Sequence, residues 1–283
     1  MIYVNGDSFT AGTGLSDHEF IPEFEKYNKN DISYQDYHNI RMKYLHLLPS
    51  KDPLMDAWIA YDIRNKELSW PILMSKILGT EVINTAHGGS SMSSILYRTL
   101  LDLTKLKMEG VTPERVIIML TCENRITIVQ THAVIHETQL QGKQDWMLSV
   151  VLGQPLESKN PFSSFVKETI LCQSKNDLII KWLLEVALIK NVVKSLTGKY
   201  PIIASPEFIT NQIIQHMKNE KLINHPHFFE LIQESGILNI NPALTMQPIN
   251  SLPDGHYDNE THAVFAEKIS KYIQTLNDKE KNI

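Results

Sequence analysis

The chain has 283 residues, of which 42% are hydrophobic and 21% are charged, a composition typical of a globular protein. The formal net charge is −5, so the chain does not have the excess of basic residues that nucleic-acid-binding proteins show. No apolar run in the sequence reaches the roughly 18 residues needed to cross a bilayer. We therefore expect neither a nucleic-acid nor a membrane partner.

The two cysteines, Cys122 and Cys172, are too few for a disulfide framework, and we expect both to be buried thiols. The first predicted strand begins at residue 2, so a signal peptide has no room ahead of it. The expected localisation is therefore the cytoplasm.

A short apolar strand at the start of the chain runs directly into a turn that carries a hydroxyl group. Gly6 allows the backbone to turn tightly, and Asp7 suits the start of a helix. Ser8 would then lie at the carboxyl end of a strand, with its N–H near a helix N-terminus. That place suits a nucleophile facing a developing oxyanion, although an ordinary strand-to-helix cap has the same residues.

After residue 69 the pattern predicts helices alternating with strands. Ser69 is predicted to cap a helix that Gly79 ends, and Gly198 is predicted to end another. The charged tail after Asn277 is expected to fray. The other predicted helices begin near residue 92, cover 177–197 and follow residue 262, and the later strands cover 81–84, 115–120, 200–204 and 236–240.

Two of these helices have a predicted core face at helical spacing. In the helix over 177–197 the face consists of Ile180, Leu183, Leu184, Ala187, Leu188, Val192 and Leu196. In the last helix it consists of Ala263, Ala266, Ile269 and Ile273.

Alternating strands and helices indicate an α/β fold, a three-layer α/β/α sandwich around a mainly parallel five-stranded sheet. We predict one domain over residues 1–283, with excursions from the core at about 15–69 and 126–175. The polar loops all follow strands, so they should gather at one edge of the sheet, where α/β proteins form their sites.

Two further loops of this kind stand out. Residues 86–92 contain Gly88 and Gly89 and open a helix, so their backbone N–H groups should point beyond the sheet edge. The segment 121–125 places three polar residues, Glu123, Asn124 and Arg125, at the end of a buried strand. The loop over 86–92 is also compatible with a simple strand-to-helix turn.

Near the end of the chain, His256 is the favoured general base for Ser8, and Asp254 is placed to orient its imidazole. His262 is interpreted as a structural residue bonded to backbone. A metal site of His256, Asp258 and His262 is an alternative, but its spacing matches no strong zinc motif. The segment 225–227 (HPH) also hints at metal, although a surface role fits it better.

These blocks together resemble the SGNH (GDSL-type) hydrolase family. Residues 6–9 (GDSF) resemble its first block, and Asn84 followed five residues later by Gly89 resembles its second. Asp254 and His256, with His262 six residues on, resemble its last block. The resemblance implies a flavodoxin-like sheet of strand order 2-1-3-4-5 and ester hydrolysis without a cofactor.

Carried over, the resemblance makes Ser8 the nucleophile, His256 the base and Asp254 its orienter. The Ser8 N–H, the Gly89 N–H and the side chain of Asn124 would hold the oxyanion. Removing one such donor typically costs about 3 kcal/mol in the barrier.

The third block departs from the family pattern. Strict register puts Glu123 at the donor position, where a carboxylate would oppose an oxyanion, so we favour a one-residue shift to Asn124. Arg125 is the alternative source of positive charge. Asp254 precedes His256 by two residues instead of three, a spacing that also occurs in the family. The third block, with residues 88–91 before it, is similar to a divergent subgroup of the family that is common among large tailed bacteriophages. A phage origin would place the protein in the host cytoplasm.

The predicted activity is that of a serine esterase acting on a small-molecule or carbohydrate ester, such as an O-acetyl group, through an acyl-enzyme. An acyltransferase with the same site is an alternative. A catalytically lapsed binding or virion-structural protein is another. The sequence leaves the acyl group, the alcohol and the oligomeric state open.

Overall fold

The structure is a computed structural model of the chain. It describes residues 1–20, 36, 61, 63–88, 90–123, 125–129, 147–151, 174–250, 252 and 256–281, with the backbone alone for 125–129 and 147–151. Most of the two predicted excursions, together with Cys172, lies outside the described residues.

Seven strands and eight α-helices are present in this part of the chain. The strands are β1 (Ile2–Asn5), β2 (Val82–Asn84), β3 (Arg115–Met119), β4 (Arg125–Val129), β5 (Met147–Val151), β6 (Ile202–Pro206) and β7 (Thr245–Met246). The helices are α1 (Ser8–Ala11), α2 (Asp17–Phe20), α3 (Trp70–Leu78), α4 (Met92–Met108), α5 (Lys175–Thr197), α6 (Glu207–Asn219), α7 (Pro226–Ser235) and α8 (Asn259–Lys281). Short 3-10 helices cover Leu222–Asn224, Ile237–Asn239 and Pro242–Leu244.

Five of the strands form one parallel sheet of order β2-β1-β3-β6-β7, with helices on both sides. The strands β4 and β5 form a separate antiparallel pair, in which Arg125 lies opposite Val151. Counting only the strands of the main sheet, the order is 2-1-3-4-5. The predicted α/β fold with a parallel five-stranded sheet is therefore confirmed.

The described residues divide into two compact units, residues 1–88 with 241–283, and residues 89–240. In the first unit β1 pairs with β2 in parallel, Tyr3 lying opposite Ile83. Helices α3 and α8 pack together there, and the rings of Trp70 and Phe265 meet edge to face at 5.2 Å. The prediction of a single domain stays a prediction.

In the second unit β3 pairs with β6 in parallel, and all five residues of β3 are buried. Helices α4 and α5 pack against each other. The indole N–H of Trp182 in α5 donates to the carbonyl oxygen of Thr121 at 2.7 Å, which ties this helix to the carboxyl end of β3. Cys122 follows directly and is half-buried, so its predicted burial is only partial.

The predicted core face of α5 is wrong by a small rotation. Leu184 and Leu188 are 47% and 51% exposed, because the helix is apolar on most of its surface and its packing selects the side that carries Trp182. The residues that α5 buries are Ile179, Trp182, Leu183, Val186, Ile189 and Val193.

Helix α8 also differs from its prediction at both ends. Ala263 is exposed, and Phe265 takes its place on the face that buries Ala266, Ile269 and Ile273. The tail does not fray at Asn277, because α8 continues through Lys281 with basic residues in its last turn.

The predicted fifth strand over 236–240 is wrong. Gly236 takes the left-handed conformation with φ 75° and ends α7, its N–H donating to the Ile232 carbonyl at 3.2 Å. The next turn closes when the Asn239 N–H donates to the Gly236 carbonyl at 3.1 Å. These backbone groups are satisfied locally, so the edge strand is formed later in the chain, by β7.

In the part of the chain that the structure describes, no helix combines the length and the apolar character that a membrane span requires.

Candidate active site

The turn that carries Ser8 is built by local capping. Asp7 has an extended backbone, and its side chain accepts the Phe9 N–H at 3.1 Å, so it caps α1. One turn later Gly12 takes φ 76° and returns its N–H to the Ser8 carbonyl at 3.0 Å. Ser8 is thus the first residue of a one-turn helix that follows the carboxyl end of β1, as the sequence predicts.

The hydroxyl group of Ser8 is buried, with the residue 4% exposed. Its Oγ makes no hydrogen bond within the described part of the chain. A buried hydroxyl without a partner costs about 1–3 kcal/mol of desolvation. The Ser8 hydroxyl is therefore not bonded to His256 in this structure, and it is available to a polar group that approaches it.

The imidazole of His256 nevertheless lies in the neighbourhood of this turn. Its ring contacts the ring of Phe9, the residue after Ser8, at a centroid distance of 5.5 Å. The ring of Tyr257 contacts Phe9 as well, at 4.9 Å. The predicted base therefore contacts the side chain of the residue that follows the predicted nucleophile, although the two lie far apart in the sequence.

His262 is a buried histidine with a backbone partner. Its Nδ1 accepts the Trp70 N–H at 3.1 Å, and the residue is 1% exposed. The pKa of His262 is lowered to about 3, first by burial and then by a positive charge on nearby His256, while Asp258 acts in the opposite direction. The predicted structural role of His262 is confirmed.

This bond also corrects the predicted cap of α3. Ser69 occupies the N-cap position, but its hydroxyl donates backwards to the Lys66 carbonyl at 2.6 Å and makes no capping bond. The acceptor for the first helical N–H comes instead from His262, on another helix. The residues next to Ser69 in the sequence give no indication that the cap comes from such a distant residue.

No three histidine, cysteine or acidic side chains of the described residues lie close enough together to hold a metal ion. His225 is an exposed N-cap residue of α7, and its ring contacts Phe228 at 4.8 Å. The side chain of His227 lies outside the described part of the structure.

Several predicted site residues cannot be placed against Ser8. Asp254, Gly89 and Asn124 lie outside the described residues, and only the backbone of Arg125 is described, at the start of β4. Their roles stay predictions. The carboxylate of Glu123 is 9% exposed and lies 3.7 Å from the Lys175 ammonium, so its charge has a cationic neighbour.

Sequence reasoning missed two contacts around the Ser8 turn. The Asn84 side-chain amide donates to the Thr10 carbonyl at 3.3 Å, and its oxygen accepts the Ala86 N–H at 3.1 Å. In the sequence, Asn84 is distinguished only by its spacing to Gly89. The Phe9 contact with His256 has no sequence signal beyond an aromatic residue next to the serine.

The fold and this site together define an α/β protein with a buried serine at the first strand-to-helix turn. No family model matches the chain, and no curated protein matches it in sequence. Among solved structures it is similar to a carbohydrate esterase family 2 enzyme with a carbohydrate binding domain from Corynascus thermopiles (Myceliophthora fergusii). That likeness has 11% identity and a TM-score of 0.46, over 97% of this chain and 65% of the other.

Two further structures are similar over nearly all of both chains. A lipolytic protein of the G-D-S-L family from Desulfitobacterium hafniense DCB-2 has 14% identity and a TM-score of 0.37, over 95% of this chain and 97% of its own. The psychrotrophic esterase EstA from Pseudoalteromonas sp. has 11% identity and a TM-score of 0.40, over 98% of each chain. Likenesses this weak add nothing to the fold class, which the strand order of this chain establishes.

Proposed function

We propose that the protein is a serine esterase that hydrolyses an ester through an acyl-enzyme, with Ser8 as nucleophile and His256 as general base. The observation that carries the proposal is the buried Ser8 hydroxyl at the carboxyl end of β1, beside an aromatic ring that also contacts His256. A hydroxyl nucleophile is weak until a base within reach takes its proton.

In the proposed reaction the Ser8 Oγ attacks the acyl carbonyl carbon while the His256 imidazole takes the hydroxyl proton. The imidazolium then gives that proton to the leaving alcohol as the ester C–O bond breaks. Water attacks the acyl-enzyme in the second half, again losing a proton to His256, and the acid and free Ser8 are released. Asp254 is proposed to orient the imidazole.

The oxyanion that forms in each half-reaction must be stabilised by hydrogen-bond donors. We propose the Ser8 N–H, the Gly89 N–H and the Asn124 side chain for this task, with Arg125 as an alternative. The ion pair between Glu123 and Lys175 supports Asn124 over Glu123 as the donor, because a carboxylate has no proton to offer and this one has a cationic partner.

The proposed substrate is an O-acyl ester of a carbohydrate or small metabolite, with acetyl as the first acyl group to test. The resemblance of the three sequence blocks to SGNH hydrolases supports this choice, and no cofactor enters the reaction. The chain spans 65% of the length of the first similar structure, so the substrates of that larger protein are not transferred to it.

The test uses the full chain and a fluorophosphonate probe, which reacts only with activated serine hydroxyls. We expect the wild type to be labelled on Ser8 and to release acid from aryl acetates and acetylated sugars. Ser8→Ala should abolish both, while Ser270→Ala, which removes a buried helical hydroxyl of α8, should leave both unchanged. Folded wild type that neither reacts nor turns over esters would refute the proposal.

A binding protein without turnover is the second candidate. The observation that favours it is the missing hydrogen bond between the Ser8 hydroxyl and His256. A catalytic hydrogen bond that is absent from a ligand-free structure can form in the substrate complex. Binding of acetylated sugars by both wild type and Ser8→Ala, with no acid released by either, would select this candidate.

A further inference from the structure

The first turn of α3 leaves one backbone donor that its own N-cap residue does not satisfy. The Ile72 and Leu73 N–H groups both donate to the Ser69 carbonyl at 3.1 Å, and Pro71 has no N–H. The Trp70 N–H remains, and the His262 Nδ1 accepts it at 3.1 Å. A side chain of α8 therefore completes the N-terminus of α3.

This hydrogen bond defines the state of the imidazole. A ring nitrogen that accepts an N–H cannot carry a proton itself, so the neutral ring holds its single proton on Nε2. The surroundings favour that neutral form, since His262 is 1% exposed and a charged imidazole is costly to bury. His262 is thus held in one tautomer.

The segment that carries His256 is attached to the same helical turn. The Thr261 hydroxyl donates to Asp258 Oδ1 at 2.7 Å and accepts the Ile249 N–H at 3.0 Å. Within the segment, the Leu252 N–H donates to the His256 carbonyl at 2.6 Å. The first turn of α8 therefore gathers both ends of the segment 249–258, and His262 connects that turn to α3.

We propose that His262 is a positioning residue for His256, holding the first turn of α8 against α3 through its Nδ1 and thereby setting where the His256 imidazole lies. The same arrangement keeps a second positive charge out of the neighbourhood when His256 takes a proton. This inference rests on the proposed function for its kinetic consequence, and it has a spectroscopic consequence that does not depend on catalysis.

Two variants distinguish the effect of the hydrogen-bond acceptor on His262 from the effect of the imidazole ring itself. His262→Asn puts an amide oxygen close to the position of Nδ1 and keeps an acceptor for the Trp70 N–H. His262→Leu fills similar space without any acceptor. We expect the Leu variant to lose roughly tenfold or more in kcat with little change in KM, because displacing a catalytic group mainly affects the chemical step. The Asn variant should recover most of that loss.

The second measurement is ¹⁵N NMR of the histidine side chains in the full-length protein. In the wild type we expect His262 to show the Nε2–H tautomer and no titration between about pH 5 and 8. The ring signals of His256 should keep their wild-type chemical shifts in His262→Asn and be displaced in His262→Leu. If the Leu variant does not fold, the wild-type tautomer of His262 and the His256 ring signals of the Asn variant decide the question.

The outcomes distinguish the two proposals. A His262 that titrates like an ordinary histidine, or His256 ring signals and a kcat that are the same in the Asn and Leu variants, would overturn the positioning role. Displacement of the His256 ring signals in both variants would overturn it as well, because the hydrogen-bond acceptor would then not be the cause. The expected NMR pattern in a wild type without ester turnover would sustain the positioning role and refute only the esterase.

Discussion

The side-chain amide of Asn84 joins the end of β2 to the turn that carries Ser8, by donating to the Thr10 carbonyl at 3.3 Å. Its oxygen simultaneously accepts the Ala86 N–H at 3.1 Å, at the start of the loop that leads to Gly89. One carboxamide therefore spans two of the segments that the proposed reaction uses.

We predict that Asn84→Asp lowers ester turnover more than it lowers stability. The carboxylate keeps an acceptor for Ala86 but loses the donor, and its charge repels the Thr10 carbonyl, which should move the Ser8 turn. The expected loss is about tenfold or more in kcat, with a change in unfolding free energy near 1 kcal/mol. Steady-state kinetics and urea unfolding measure the two effects. Equal kinetics for Asn84→Asp and wild type would contradict the prediction.

Gly12 should tolerate no side chain. It has φ 76°, and a Cβ there would lie 2.5 Å from the Asn65 carbonyl oxygen. We predict that Gly12→Ala destabilises the protein by roughly 2–4 kcal/mol, combining the left-handed backbone with overpacking.

Gly198 provides the matched control for that prediction. It has φ 78° but nothing within 4 Å of an added Cβ. Gly198→Ala should therefore show only the backbone cost, roughly 1–2 kcal/mol. Chemical denaturation of both variants measures the difference, and equal losses would show that the close contact at Gly12 relaxes freely.

The cap of α1 gives a third prediction. The Asp7 side chain accepts the Phe9 N–H at 3.1 Å, so Asp7→Ala should cost about 1 kcal/mol of stability. Asp7→Asn keeps a capping oxygen and should lose only a fraction of that. Thermal unfolding of the pair separates the hydrogen bond from the charge, and an Asn variant as unstable as the Ala variant would argue that the charge matters instead.

The fourth prediction concerns the loss of stability at acidic pH. The pKa of His262 is lowered to about 3 in the folded protein, chiefly by burial, while an unfolded histidine titrates near 6.5. The unfolded chain therefore binds more protons between these values. The stability contributed by neutral His262 is complete above about pH 6.5 and is lost as the pH falls towards 3, by up to about 1.4 kcal/mol per pH unit.

Urea unfolding at several pH values tests this. His262→Asn cannot titrate at this position, so its stability should fall less between about pH 6.5 and 4 than that of the wild type. The two proteins differ only at this position, so the comparison isolates the contribution of His262. Parallel acid profiles for wild type and variant would contradict the prediction.

The sequence alone predicted the features that depend on short stretches of chain. Buried strands such as β3 appear as unbroken apolar runs, and helix ends appear at glycines such as Gly79 and Gly198, both of which take the left-handed conformation. The position of Ser8 after β1 follows from the capping residue Asp7. Periodicity and capping act over a few residues, so these elements and their alternation can be read without the fold.

Tertiary packing decided what several local patterns left open. Helix α5 is apolar on most of its surface, and only its contacts select the face of Trp182. The cap of α3 could not be foreseen, because its acceptor, His262, lies far along the chain, and neither could the meeting of Phe9 with His256. Such contacts depend on how the whole chain packs, since the favourable term is the burial of many side chains together and no single segment contains it.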